Sequence, residues 1–157
     1  ITRMGEDLEF SIRIEKAGFK TGLIPKAKVY HKRRTKLGQF YKQLFFFGRG
    51  RINIFRFYKS ELKAVHLLPV FFVLGLFFWL STSLWHPELF QLGAALLAVY
   101  FALIGIDAFI KTNNFLVTCL SLVTSFIQLF AYGMGFLKES FAYFKQRKPE
   151  GVKEGVL

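Results

Sequence analysis

The sequence has little of several residue types that define common classes of protein. One cysteine among 157 residues rules out a disulfide framework, a paired-cysteine redox motif and a zinc site built from several cysteines. Acidic residues are few, 10 Asp and Glu against 22 Lys and Arg, so the formal net charge is +12. A hydrophobic fraction of 53% excludes a disordered chain, because such chains carry few apolar residues. The length predicts about one domain.

Lysine and arginine are absent between residues 67 and 110, and this gap divides the chain into two parts. Sixteen of the 22 bases precede residue 67, against five acids, so the first part carries a net charge of +11. The stretch without bases has only Glu88 and Asp107 as charged residues. A basic polar part followed by an apolar part is typical of a membrane protein.

Three apolar segments are long enough to cross a hydrocarbon core, which takes about 17–25 helical residues. They are residues 67–84, 89–110 and 115–137, separated by short polar breaks. Buried helices of a soluble protein are the alternative, but too little chain would remain to cover three of them. We therefore predict about three transmembrane α-helices in a multi-pass membrane protein.

The basic residues before the first span place the N-terminal part in the cytoplasm by the positive-inside rule, at the cell (inner or plasma) membrane. Three crossings would put the basic tail, residues 138–157, on the far side, where its lysines and arginines are disfavoured. Either the stronger N-terminal block dominates or one segment is re-entrant. The candidate is residues 67–84, which is the shortest and holds Pro69 and Gly75.

The polar part combines helix and strand patterns. A helix is predicted from Glu6 to Lys16, with a favourable i,i+4 ion pair from Glu9 to Arg13 and with Gly18 at its stop. Residues 19–24 and 28–30 are predicted to be short strands on either side of Pro25.

A second helical pattern runs from Lys36 to about Phe47, and the run Gly48-Arg49-Gly50-Arg51 is predicted to interrupt it. The whole region 36–66 is basic and amphipathic and leads into the first span. That combination predicts a helix lying in the headgroup plane of a bilayer. Within the spans, Asp107 is predicted to pair with Lys111 at a helix end, and Gly133 and Gly135 are predicted to allow close helix contact.

Two acids, Glu6 and Asp7, open the first predicted helix directly after Gly5. A carboxylate at such a loop-to-helix junction can point into a cleft and accept a proton from a hydroxyl group as a general base. The alternative is that both acids only complement the helix dipole, as acids at helix starts commonly do.

Several ordered motifs together are more specific than any of these features alone. The segments are Gly5 to Lys20 (GEDLEFSIRIEKAGFK), Pro25 to His31 (PKAKVYH), Gln43 to Arg51 (QLFFFGRGR) and an apolar helix that begins near Pro69. In this order they resemble the second half of the catalytic domain of family 2 glycosyltransferases, membrane enzymes of polysaccharide synthesis. The resemblance covers roughly residues 3–70. It implies an α/β fold, in which residues 1–35 are the C-terminal part of a GT-A nucleotide-sugar transferase domain.

The resemblance also implies roles for individual residues. Asp7 would be the catalytic base and Glu6 would support it. Gln43, Arg49 and Arg51 would lie near the acceptor or the diphosphate. Arginine suits this place because its guanidinium binds phosphate with two parallel hydrogen bonds. Phe46 departs from the family pattern, since many relatives carry Arg there, and Phe47 replaces Trp or Tyr.

His31 is a candidate ligand for a divalent metal, since imidazole binds such ions. A lone histidine beside a basic run is otherwise a solvated or phosphate-facing residue. The resemblance implies Mg²⁺ or Mn²⁺ in the full-length enzyme, but the family's Asp-x-Asp metal motif is absent from this sequence.

The resemblance therefore implies a C-terminal fragment of a membrane-bound inverting glycosyltransferase that is inactive alone, because the nucleotide-binding half lies elsewhere. Its partners would be a nucleotide-sugar donor, a lipid-linked or polysaccharide acceptor, and membrane lipids at the cytoplasmic face. The alternative is a non-catalytic membrane protein whose basic domain binds anionic lipid or a partner. Nucleic acid is not expected as a partner, because no nucleic-acid motif accompanies the charge.

Overall fold

The computed structural model describes residues 5–31 and 35–146. About 80% of these residues are helical and none of them is in a strand. Two short 3₁₀ helices, Lys59–Glu61 and Ala64–Leu67, lie between the second and third α-helices. The α-helices are α1 (Glu6–Lys16), α2 (Leu37–Phe57), α3 (Leu68–Thr82), α4 (Pro87–Thr112) and α5 (Phe115–Gln146).

The expected α/β fold is wrong for the described residues, which are all-helical with irregular connections. Residues 19–24 and 28–30, predicted as strands, are irregular chain on either side of a turn in which the amide of Ala27 donates to the carbonyl of Ile24 (3.0 Å). Leu23 and Val29 are each 90% exposed. An extended segment becomes a strand only when its backbone groups pair with another, and no such pairing occurs within the described part of the chain.

The structure confirms the predicted bounds of helix α1, Glu6–Lys16. Gly5 precedes it with φ 90°, a left-handed conformation that strains any residue with a side chain, and Gly18 follows it with φ 82°. The predicted ion pair is present, with Arg13 Nη2 lying 3.7 Å from Glu9 Oε2. Ile12 is the buried residue of this helix.

Helix α2 continues through the Gly48-Arg49-Gly50-Arg51 run, so the predicted interruption is wrong. Gly48 lies against α5, where a methyl group would overlap the carbonyl oxygen of Tyr132. Gly135 of α5 lies equally close to the carbonyl of Phe45. The tight packing of the two backbones offsets the roughly 1 kcal/mol by which glycine disfavours a helix.

Three helices are long and apolar enough to cross a membrane: Ala64–Thr82 with its 3₁₀ start, Pro87–Thr112 and Phe115–Lys145. No residue of α4 is buried within the described structure, although the helix is almost entirely apolar. A lipid bilayer, rather than water, covers an outward-facing apolar surface of this extent. The prediction of a multi-pass membrane protein is confirmed at this level.

Small residues and aromatic rings join the three apolar helices. Gly133 of α5 contacts the carbonyl of Pro69 and the side chain of Val73 in α3, which confirms the close contact predicted for Gly133 and Gly135. Trp79 stacks on Phe90 with ring centroids 4.9 Å apart. The predicted pair at the end of α4 is present, with Lys111 Nζ lying 2.9 Å from an oxygen of Asp107.

Helix α5 extends beyond the predicted span of 115–137 to Gln146. The added residues pack on α2, with the rings of Phe55 and Tyr143 in edge contact and the ammonium of Lys138 5.6 Å from the ring of Phe45. The remainder of the predicted basic tail, residues 147–157, lies outside the described residues, as do residues 1–4 and 32–34 of the polar part.

Candidate functional site

A cleft of about 240 Å³ opens where α1, α2 and α5 meet. Its polar lining groups come from α1 and from the junction of α2 and α5. Its lining residues are Gly5, Asp7, Leu8, Phe46, Phe47, Gly50, Arg51, Ile54 and Tyr132. The cleft therefore brings together the helix start that the sequence analysis singled out and the glycine–arginine run of α2.

Asp7 lies in the first turn of α1, where its carboxylate is exposed and lines the cleft. The left-handed turn at Gly5 lets the chain approach α2 closely, since a side chain at that residue would meet Ile54. Glu6 is also exposed, but it does not line the cleft. Of the two acids, Asp7 is therefore the one that lines the cleft.

Contacts between α1 and α2 fix the position of Asp7. The hydroxyl of Tyr58 donates to Glu9 Oε1 at 3.0 Å, and the ammonium of Lys16 lies 4.3 Å from the centre of the Tyr58 ring. The hydrogen bond to Glu9 is the largest cause that raises the pKa of Tyr58 above its ordinary value. Two polar contacts a few residues from the cleft thus hold α1 on the end of α2.

Arg51 also lines the cleft and lies beside Tyr132 of α5. No carboxylate among the described residues pairs with Arg51. The Tyr132 hydroxyl oxygen is buried, and although the Arg51 guanidinium is near enough to interact with it, no hydrogen bond of good geometry joins them. This part of the cleft therefore offers the guanidinium of Arg51 to an anion, while the Tyr132 hydroxyl is shielded from the cleft.

Arg49 lies on the other side of α2 and faces α5. Its Nε donates to Glu139 Oε2 at 2.8 Å, and Arg56 Nη2 donates to Glu139 Oε1 at 3.0 Å. Glu139 is only 7% exposed. Arg49 is thus engaged in joining two helices, whereas Arg51, two residues later, lines the cleft.

Gln43 stands on the cleft-facing side of α2 by helical spacing, four residues before Phe47 and seven before Gly50. It lies outside the cleft lining. The structure therefore brings Asp7 and Arg51 into one cleft, places Gln43 beyond its edge, and directs Arg49 away from it.

Sequence reasoning missed Glu139 and Tyr132 as partners of the arginines. Glu139 follows a long apolar run and looks like the start of a tail. The available signal is helical spacing, because Tyr132, Phe136, Glu139 and Tyr143 recur at intervals of three and four residues and share one face if α5 is extended.

A second cleft, of about 420 Å³, adjoins the first and shares Phe47, Arg51 and Tyr132 with it. The new lining comes from α2, from the second 3₁₀ helix with the start of α3, and from the middle of α5, and it is mainly apolar. These residues are Leu44, Val65, His66, Pro69, Gln128 and Leu129. Arg51 and Tyr132 stand at the junction, with Asp7 on one side and an apolar groove leading toward the membrane helices on the other.

His31, the predicted metal ligand, is exposed in irregular chain. Within residues 5–31 and 35–146, no group of three or more His, Cys, Asp or Glu side chains could hold a metal ion. The described donors therefore form no set of ligands that fits a divalent metal.

Comparison with protein-family models, with curated proteins and with solved structures gave no match. The assignment to a class of protein therefore rests on the residues and the geometry of this chain.

Proposed function

We propose that this chain is the acceptor-side part of a membrane-bound inverting glycosyltransferase. The enzyme moves a sugar from a nucleotide-sugar donor to a lipid-linked or polysaccharide acceptor at the cytoplasmic face of the cell membrane. The observation that carries the proposal is that Asp7 and Arg51, both assigned roles by the resemblance to family 2 glycosyltransferases, line one cleft. That cleft lies directly beside helices able to cross a membrane.

In this reaction the carboxylate of Asp7 accepts the proton of an acceptor hydroxyl group. The acceptor oxygen then attacks the anomeric carbon of the donor from the face opposite the leaving group. The new carbon–oxygen bond forms as the bond to the nucleoside diphosphate breaks, and the electron pair leaves with the diphosphate. Arg51 holds an anionic group of a substrate in the same cleft.

A second candidate function follows from Arg51, which no described carboxylate neutralises. The chain would then be a non-catalytic membrane protein whose basic polar part binds anionic lipid or a partner, each surface lysine or arginine contributing about 1 kcal/mol. Under this alternative the carboxylate of Asp7 has no chemical role.

Sugar transfer by the whole gene product distinguishes the two candidates. Radiolabelled sugar should pass from a nucleotide-sugar to a membrane-extracted acceptor with unmodified protein and not with Asp7→Asn. Glu15→Gln is a matched control, because Glu15 is an exposed acid of the same helix outside the cleft. Equal transfer by unmodified protein and Asp7→Asn would reject the enzyme proposal.

The isolated chain provides a second test, because the described residues hold no nucleotide-binding motif. Calorimetry should detect no nucleotide-sugar binding by residues 1–157 in detergent. Binding with the micromolar affinity usual for enzyme substrates would show that the donor site lies in this chain, contrary to the proposal.

A further inference from the structure

We propose that the two adjoining clefts form one binding site for an amphiphile with a phosphate head group and a single apolar chain. The phosphate lies at Arg51, and the apolar chain lies in the groove toward Pro69 and Leu129. Binding itself stands apart from the proposed transfer reaction. Only the identification of this amphiphile as the sugar acceptor rests on the proposed function.

The groove suits an apolar chain by its lining. Five of its nine lining residues are apolar: Leu44, Phe47, Val65, Pro69 and Leu129. The groove lies between α2 and parts of two candidate membrane spans, Ala64–Thr82 and Phe115–Lys145. An apolar chain that moves from the lipid into the groove exchanges one apolar environment for another. Its entry therefore costs little free energy of desolvation.

The junction of the clefts suits phosphate by its donors. Arg51 provides a planar fork of N–H groups. A second donor comes from His66, whose Nδ1 accepts the backbone N–H of Lys63 at 3.1 Å. A neutral ring with that contact carries its proton on Nε2, which remains a donor. A dianionic phosphate that accepts from these two groups compensates the charge of Arg51.

The phosphate and the hydroxyl to be glycosylated occupy different places in this arrangement. Asp7 belongs to the cleft on the far side of Arg51 from the groove. A group attached to the phosphate and directed away from the apolar chain therefore extends toward the Asp7 carboxylate. The arrangement favours a lipid-linked acceptor over a free polysaccharide, because a polysaccharide has no part that the apolar groove would bind.

Thermal unfolding of the chain in phosphatidylcholine nanodiscs tests the site, with dodecyl phosphate as the probe. We expect dodecyl phosphate to raise Tm, because a ligand that binds only the folded state stabilises it. Dodecanol and inorganic phosphate, each added alone, should leave Tm unchanged. An equal response to inorganic phosphate would show a free-anion site, and an equal response to dodecanol would show an apolar groove alone. Both results would overturn the proposal.

Variants locate the effect at the junction. Arg51→Gln should weaken dodecyl phosphate binding about tenfold, the loss expected for a charge-assisted hydrogen bond. Lys59→Gln, which removes an exposed charge outside both clefts, is the matched control and should bind normally. Unchanged binding by Arg51→Gln would place the phosphate elsewhere.

This result is separable from the transfer reaction. If dodecyl phosphate binds but Asp7→Asn transfers sugar normally, the binding site stands and the proposed enzyme does not. If Asp7→Asn is inactive but dodecyl phosphate fails to bind, the enzyme stands and its acceptor is not held here.

A second inference comes from the contact register of the apolar helices: we infer that α3 enters and leaves on one side of the membrane, so that only α4 and α5 cross it. The helices α4 and α5 form an antiparallel hairpin closed by residues 113–114. Gly105 lies opposite Thr118 and Leu122, and the ring of Phe101 lies 6.4 Å from that of Phe126.

This register gives the height of each contact, meaning its distance from the closed end of the hairpin along the helix axes. Gly93 lies twelve residues before Gly105 in α4. In α5, Gly133 lies eleven residues after Leu122 and fifteen after Thr118, the two residues that face Gly105. Both glycines are therefore about 18 Å from the Gly105 level, at a rise of about 1.5 Å per residue. Gly93 and Gly133 stand at the same height, toward the open end of the hairpin.

The two ends of α3 contact the hairpin at that one height. Pro69, at the start of α3, touches Gly133, and Trp79, near its end, lies over Gly93. A helix that crossed the bilayer beside this hairpin would have its ends at opposite heights. Phe72, between them, reaches deeper and contacts Tyr100 and Phe126. Helix α3 thus lies across the open end of the hairpin.

The polar part and the charges agree with this arrangement. Helix α2 contacts α5 at Phe136, Glu139 and Tyr143, which also lie at the open end. Between residues 67 and 137 the only lysine or arginine is Lys111, at the closed end. If only α4 and α5 cross, the basic residues before residue 67 and those after residue 137 lie on the same side of the membrane. The positive-inside rule favours this arrangement.

Single cysteines labelled with a membrane-impermeant maleimide test the topology in a Cys119→Ala background. Ser60→Cys lies before α3, Ser83→Cys follows α3, and Thr112→Cys lies at the closed end of the hairpin; all three residues are exposed. We expect Ser60→Cys and Ser83→Cys to be labelled from one side and Thr112→Cys from the other. Labelling of Ser60→Cys and Thr112→Cys from one side and Ser83→Cys from the other would show three crossings and overturn the inference.

Discussion

Arg49 of α2 donates through Nε to the buried carboxylate of Glu139 in α5, at 2.8 Å across 90 residues of sequence. Arg56, two helical turns further along α2, donates to the other oxygen of the same carboxylate. Together these bonds set the rotation of α2 on α5. Because Arg49 faces α5, Arg51 is turned toward the cleft that contains Asp7.

Removal of the Glu139 carboxylate should destabilise the contact between α2 and α5. Glu139→Ala removes the carboxylate that two partly buried guanidinium groups share, and we expect a loss of about 2 kcal/mol in the free energy of unfolding. Asp107→Asn is the matched control, because Asp107 forms an exposed pair that contributes less than about 1 kcal/mol. Chemical denaturation in detergent measures the stability of both variants. Equal effects of the two variants would contradict the stabilising role described for the hydrogen bonds from Arg49 and Arg56 to Glu139.

Gly48 should tolerate no side chain. In Gly48→Ala the new methyl group would overlap the backbone of α5, and such overpacking costs about 1–3 kcal/mol despite the better helix propensity of alanine. Gly38→Ala, in the first turn of the same helix, meets nothing within 4 Å and should be neutral or slightly stabilising. The comparison of their Tm values checks the prediction. A Gly48→Ala protein as stable as Gly38→Ala would show that α2 and α5 are not in backbone contact.

The docking of α1 on α2 should weaken at high pH. The hydrogen bond to Glu9 raises the pKa of Tyr58 above its unfolded value of about 10. A raised native pKa means that the bond contributes fully below about pH 10 and is lost as pH rises through the raised native value. Limited proteolysis within residues 19–31 should therefore accelerate at alkaline pH, and Tyr58→Phe should show the faster cleavage already at neutral pH. A Tyr58→Phe chain with the same pH profile as the unmodified chain would contradict this contact.

Local signals in the sequence predicted α1 well, and non-local contacts explain where prediction failed. Gly5, the first-turn acids and Gly18 mark the ends of α1 without reference to the rest of the chain. Gly48 has no such local explanation, because the backbone that selects glycine belongs to Tyr132, 84 residues later. A run of two glycines and two arginines therefore looked like a helix break.

The candidate site was predictable to a similar extent. Asp7 and Arg51 were both named from motifs, and the structure places both in one cleft. The different environments of Arg49 and Arg51 could not be predicted, since they depend on the position of Glu139. The strands expected at residues 19–24 and 28–30 followed from local pattern alone, and a strand forms only with a pairing partner.

The most direct test of the account is the rate of sugar transfer by the whole gene product carrying Asp7→Asn, measured with saturating nucleotide-sugar and acceptor. Loss of a general base typically lowers such a rate by about 100-fold to 10,000-fold, and we expect a loss in that range with nucleotide-sugar binding unchanged. Glu15→Gln should retain the rate of the unmodified protein. A rate for Asp7→Asn within a few-fold of the unmodified enzyme would contradict the central claim that this carboxylate is the catalytic base.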